Sequence, residues 1–264
     1  MSISSIHNSK VKSARSLRDR RQRQMCGELL IEGGRFILEA LTAGASIGSC
    51  FFTDAASGRW QSLLQELERS GAELIRVTER VMGTIGDTVT PQGLVAVATA
   101  PTDMREGVLE GGRLVLVADQ IADPGNLGTM LRTAAAVGAA VILTTGCVDL
   151  TSPKVVRASA GAMYSAPLWI SADYSEVIEA ALARGYRTIV CDATGALPYH
   201  GVSLTGSVAV VVGNEAHGPA RAWSSADPAL VHIPMPGRAE SLNAGVAAAI
   251  VLYESLRQRG ADPC

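Results

Sequence analysis

The sequence has no CxxC pair, no GxGxxG fingerprint and no apolar run long enough to span a bilayer. Each absence removes a class. Five cysteines (Cys26, Cys50, Cys147, Cys191, Cys264) are scattered and odd in number, which suits reduced thiols in the cytoplasm rather than a disulfide framework or a zinc site. The four histidines (His7, His200, His217, His232) show no ligand spacing, so no metal is expected. "DPGNLG" (123–128) offers GxxG without the dinucleotide pattern, which disfavours hydride chemistry. The opening "MSISSIHNSKVKSAR" lacks a signal-peptide core, and no membrane partner is expected. Lysine is scarce as well, so the abundance of arginine alone says little about partners.

What is present is a large apolar fraction, 47% of 264 residues, enough for one large core or two ordinary ones. The formal net charge of −2 hides a local cluster. Lys10, Lys12, Arg15, Arg18, Arg20, Arg21 and Arg23 fall together with one acid, Asp19. Such a patch suits a phosphate backbone. The plainer reading is a solvated helix with Val11, Ala14 and Leu17 turned inward.

The pattern then alternates. Strands are expected at 28–32, 47–53, 72–78 and 93–100, with helices at 34–44, 58–71 and 79–86 between them. This makes an N-terminal α/β domain over residues 1–100. "PTDMREGVLEGG" (101–112) has no periodicity and reads as a linker. A second domain, 113–264, has strands expected at 113–119, 139–145, 186–192, 207–213 and 229–235. Helices are expected at 126–137, 153–163, 173–185 and 241–257. The continuous apolar strands imply a parallel sheet covered on both faces, with ligands at its carboxyl ends.

Three strand-to-helix junctions in that half carry polar residues that packing does not require. Asn126 stands where a helix would start, and Arg132 lies further along among Leu, Ala and Val. An Asn there is ordinarily only an N-cap, and an Arg can snorkel from an apolar helix. Glu215 follows the strand-ending Gly213. Ser241 is a good cap for an almost wholly apolar helix, which leaves Asn243 surplus. Each junction alone is explained by local structure. Together, Asn126, Arg132, Glu215, Ser241 and Asn243 fall at the same kind of strand end, where a parallel sheet gathers them.

"NLGTMLRTAAAVGA", "VVVGNEAHG" and "IPMPGRAESLNAGVAAAIVLYE" resemble, in order, the three motifs of the SpoU/TrmH family of RNA ribose methyltransferases. "DLTSPKVVRASAGAMYSAPL" (149–168) is similar to a family segment bearing a further basic residue, here Arg157. The likeness spans nearly all of 113–257. The first hundred residues resemble, more loosely, the family's substrate-binding domain of ribosomal-protein-like fold. The resemblance implies a C-terminal SPOUT domain in which the parallel sheet carries a deep trefoil knot. It also implies a homodimer with the last helix at its interface.

S-adenosylmethionine would be the co-substrate, held by Asp192, Ala193, Gly213, Ile233, Met235 and Leu242, chiefly through backbone groups. Arg132 would stand nearest the ribose hydroxyl, oriented by Asn126 and Glu215, with Ser241 and Asn243 fixing the loop. Arg157 would reach RNA from the opposite subunit, beside Lys10, Lys12, Arg15, Arg18, Arg21 and Arg23. Ribosomal RNA is the favoured substrate, 23S in particular. Transfer RNA and a resistance-conferring ribosomal methylation remain open. A catalytically silent RNA-binding factor and a nucleotide-dependent oxidoreductase are the readings from other classes.

Overall fold

The structure is a computed structural model that describes residues 2–86, 92–239 and 241–260. Cys264 and the end of the 113–264 domain lie outside the described residues. Contacts divide the chain into two compact units, Met1–Pro101 with Leu150–Ser165, and Thr102–Asp149 with Ala166–Cys264. The sequence division kept 150–165 in the second domain.

In the first unit four strands, β1 (Glu28–Glu32), β2 (Ile47–Phe52), β3 (Glu73–Arg76) and β4 (Leu94–Thr99), form a sheet of order β1-β4-β2-β3. β4 runs antiparallel to β1 and β2, and β2 is parallel to β3. Val11, Ala14 and Leu17 are buried against Phe51, Val81, Met82 and Val95, so the basic segment does turn its apolar residues inward. It is two helices rather than one, Ser9–Ser16 and Arg20–Cys26, because Asp19 accepts from the Gln22 amide and caps the second. The expected helix at 58–71 is likewise split at Trp60, into Asp54–Arg59 and Gln61–Arg69.

The second unit is a seven-stranded sheet: β5 (Leu114–Ala118), β6 (Ala140–Thr144), β7 (Leu168–Ala172), β8 (Arg187–Cys191), β9 (Leu197–Pro198), β10 (Val208–Val212) and β11 (Ala229–His232). Its order is β7-β6-β5-β10-β8-β11-β9, and every pairing is parallel. Every residue of β5, β6 and β10 is buried, as covered parallel strands require. β7 and β9 were not foreseen, since one is a short edge strand and the other only two residues long. Residues 102–112 are not a free connection: Arg105–Val108 is helical, and Val108 and Leu109 sit in the core of this unit.

Candidate active site

The first junction is capped by Asp123, not by Asn126. Asp123 Oδ1 accepts from the Asn126 amide at 2.8 Å, and Pro124 occupies the first turn of the Pro124–Val137 helix. The helix starts earlier than the expected 126, and the Asn126 side chain is freed from capping. It is buried, and its amide is used at both ends. Asn243 Nδ2 donates to Asn126 Oδ1 at 2.6 Å, and Asn126 Nδ2 donates to Glu215 Oε1 at 2.5 Å. The third junction reverses the expected roles too. Asn243, not Ser241, is the N-cap of the Ala244–Gln258 helix, its Oδ1 accepting from Val246 N at 3.2 Å. One Asn therefore caps a helix and bonds a second helix at once.

This three-residue chain joins the segments that follow β5, β10 and β11. Asn126→Asp removes the donor and sets a second carboxylate against Glu215. The expected loss is about 1–3 kcal/mol, read as a lower urea midpoint at neutral pH. An unchanged midpoint would show that the chain of amides does not hold the loops together.

Gly213 ends β10, and the backbone turns back so tightly that a Cβ there would lie 2.2 Å from the Pro219 nitrogen. Asn214 shapes the turn: its Oδ1 accepts from Ala216 N, and its Nδ2 donates to Gln120 O, both at 2.9 Å. Across the sheet, a Cβ on Gly195 would lie 2.7 Å from the Val231 carbonyl carbon. Between these two close approaches lies a cavity of about 400 Å³. Asp192, Ala193, Gly213, Ile233, Met235 and Leu242 all line it, together with Glu215 and Ser241. Burial pushes the Cys191 thiol on its wall up to about 12, so that group stays neutral at working pH. Thr194, Asn214, His217 and Ala247 also line it and were not singled out from the sequence. Thr194 and Asn214 adjoin the expected liners Ala193 and Gly213, and His217 lies two residues beyond Glu215, which is the signal that would have found them.

Arg132 is placed differently from expectation. It is exposed and has no hydrogen-bond or ion-pair partner among the described residues, while Asn126 and Glu215 bond each other. The reason is helical geometry: six residues on, at about 100° each, a side chain points roughly 120° away. Arg132 shares the outward face with Gly125 and Thr129, both exposed.

The basic residues also separate. Lys12, Arg15, Arg18, Arg20 and Arg21 are exposed, and Lys10 pairs with Glu73. Arg23, expected to meet RNA, is only 5% exposed. Its Nη1 donates to Leu17 O and Arg18 O and its Nε to Thr151 Oγ1, so it braces the turn between the two helices. Arg157 is half-buried on the Pro153–Ser159 helix of the first unit and lines a crevice with Arg18 and Glu32. Among the described residues no group of three or more His, Cys, Asp or Glu is placed to hold a metal, and no helix is long and apolar enough to cross a membrane.

Residues 113–253 match the SpoU rRNA Methylase family, and residues 8–96 match the MRM3-like substrate binding domain. A Bacillus subtilis 23S rRNA (guanosine(2553)-2'-O)-methyltransferase is 32% identical, covering 95% of this chain and 97% of its own. A Streptomyces viridochromogenes 23S rRNA (uridine(2479)-2'-O)-methyltransferase is 31% identical over 92% of this chain and 87% of its own. The crystal structure of an AdoMet-bound rRNA methyltransferase from Sinorhizobium meliloti superposes with a TM-score of 0.86 at 28% identity, covering 97% of each chain. With its motifs, its parallel sheet and these matches in agreement, the chain belongs to the SpoU rRNA methylase family.

Proposed function

We propose that this protein transfers the methyl group of S-adenosylmethionine to a ribose 2′-hydroxyl of 23S ribosomal RNA. The observation that carries the reading is the cavity at the carboxyl ends of β8, β10 and β11. It gathers all six residues expected to hold the donor, beside the Asn126–Glu215–Asn243 chain. Its volume lies in the range of small-molecule sites, roughly 300–1,000 Å³. The tight backbone return at Gly213 fits a donor held through main-chain groups.

When bound, the donor supplies a sulfonium methyl. The protein aligns it with the ribose oxygen, and alignment alone is worth roughly 7–11 kcal/mol of barrier. Arg132 cannot act as a base, because a guanidinium stays protonated in proteins. Exposed and unpartnered, it is free to clamp the neighbouring phosphate and stabilise the charge developing on oxygen. A phosphate oxygen or water takes the proton.

The family's trefoil knot is part of the proposal, supported by the close backbone approaches at Gly195 and Gly213. So is a homodimer. One face of the Ala244–Gln258 helix is buried, whereas Val246 and Tyr253 are 44% and 52% exposed on the other, beside half-buried Ala249 and Ile250. A second copy would cover that stripe. A cytoplasmic setting suits the four described cysteines, which are free thiols.

RNA binding falls to the exposed basic residues of the first unit. Lys12→Glu with Arg15→Glu is expected to weaken RNA binding and flatten its salt dependence by about 0.7–0.9 log units per lost phosphate contact, with donor affinity unchanged. An unaltered slope would remove this patch from the interface. The two relatives are named for different bases, so base choice is settled by experiment. The protein is incubated with radiolabelled S-adenosylmethionine and unmodified ribosomal or transfer RNA, and the labelled ribose is mapped. Label in a 23S ribose supports the proposal. Label confined to transfer RNA replaces the substrate, and no transfer to either overturns the activity.

A further inference from the structure

Asp119, directly after β5, is 1% exposed, and no cation pairs with it among the described residues. An isolated carboxylate in such a place costs several kcal/mol unless donors surround it. Four do, and they divide between its two oxygens. Oδ1 accepts from Tyr174 OH at 2.6 Å and from Thr144 Oγ1 at 3.2 Å. Oδ2 accepts from the Ala220 amide at 2.7 Å and from Trp223 Nε1 at 2.9 Å. The first oxygen is thus tied to β6 and to the helix Tyr174–Ala183, and the second to the far end of the loop that leaves β10.

That loop supplies Gly213, Asn214, Glu215, His217, Gly218 and Pro219 to the cavity wall. Its near end is fixed by β10. Its far end is fixed by the Ala220 bond to Asp119. Gln120 adds a second tie, for its carbonyl accepts from Asn214 Nδ2 at 2.9 Å while its own amide donates to Thr144 Oγ1 at 3.0 Å. Gln120 reaches this double use with a φ of 54°, a left-handed conformation that a residue other than Gly rarely adopts. Burial, and then the bond to Asp119, push the Tyr174 phenol up to about 12, so it remains a donor throughout the working pH range.

A carboxylate is required here for a chemical reason. Asn offers one acceptor oxygen. Turned one way, its amide faces the Ala220 and Trp223 N–H groups, which cannot accept. Turned the other way, it leaves the Tyr174 and Thr144 hydroxyl protons without their acceptor and removes the charge that strengthens the loop-side bonds.

We infer that Asp119 is a positioning residue for methyl transfer: through Ala220 and Trp223 it closes the base of the 213–220 loop and holds Glu215 and the donor wall in register. This rests on the donor reading proposed above. Three variants test it: Asp119→Asn, Trp223→Phe, which removes one loop-side donor, and Leu168→Ala, a packing control in the edge strand β7 at a buried residue outside the cavity lining. Calorimetry with S-adenosylmethionine is paired with melting temperatures and with hydrogen exchange of residues 213–220.

The expected result is a donor Kd raised about tenfold in Asp119→Asn and about threefold in Trp223→Phe. Exchange of the loop is faster in both. Leu168→Ala loses a comparable melting temperature yet keeps the wild-type Kd and loop exchange. A wild-type Kd in Asp119→Asn overturns the inference, as does weakening of all three in proportion to their melting temperatures. Should Asp119→Asn fail to fold, the contrast between Trp223→Phe and Leu168→Ala decides. A wild-type protein that binds no donor overturns the functional reading instead, and unchanged loop exchange in the variants then overturns the anchor.

Discussion

Arg132→Ala is expected to lower the rate of methyl transfer by about 10²–10³-fold, the usual cost of removing a group that stabilises charge developing in the transition state. Donor affinity should stay within about twofold of wild type. The split follows from position. Arg132 stands on the outward face of the Pro124–Val137 helix, outside the cavity lining, and takes no part in the amide chain from Asn243 through Asn126 to Glu215. Its loss leaves the donor walls untouched and removes only what would meet RNA. Single-turnover transfer from labelled donor, alongside calorimetry, reads the two separately. Loss of both in equal measure would make Arg132 structural. Arg132→Lys adds a second reading, because lysine keeps the charge and loses the planar two-pronged donor. Retention of most activity by lysine would argue against a bidentate phosphate clamp.

The second large effect lies at Gly213. A methyl group there would sit 2.2 Å from Pro219 N and 2.4 Å from the Gly218 carbonyl carbon. Both neighbours are backbone, so no side-chain rotation relieves the clash and the loop has to move. Gly213→Ala should therefore abolish measurable donor binding, a loss of about 100-fold or more, and destabilise the fold by about 1–3 kcal/mol. Calorimetry and urea unfolding check the two parts. A control is available within the same unit. Gly107 has no atom within 4 Å of its would-be Cβ and, like Gly213, no left-handed φ, so Gly107→Ala tests an added methyl group without the clash. If Gly213→Ala binds the donor as Gly107→Ala does, the tight return at Gly213 does not form the pocket.

Much of the parallel sheet was legible because β5, β6, β8 and β10 are short apolar runs, and a strand buried on both faces leaves that signature. β9, at two residues, is too short to leave any, and β7 lies at the sheet edge, where pairing rather than composition makes the strand. The caps misled for a subtler reason. Ser241 and Asn126 both have cap chemistry, but a cap is set by which residue has extended backbone just before the first turn. The sequence pointed to Asn126 and Ser241, and the structure chose Asp123 and Asn243.

The residues that line the cavity were legible only through the family motifs, since neither their types nor their spacing carry a signature of their own. Asp119 shows the opposite limit. One acid at the end of an apolar strand looks like ordinary punctuation until its four donors, spread from Thr144 to Trp223, are seen around it.

The strand order has a consequence for biosynthesis. β5 and β8 leave the ribosome before β10, which has to slot between them, so the middle of the sheet stays open during translation. Pairings this distant in sequence form slowly, and exposed strand edges meanwhile invite misassembly. A nascent chain stalled before Val208 has neither the central ladder nor a wall for the donor, so ligand capture can begin only when nearly the whole polypeptide has emerged.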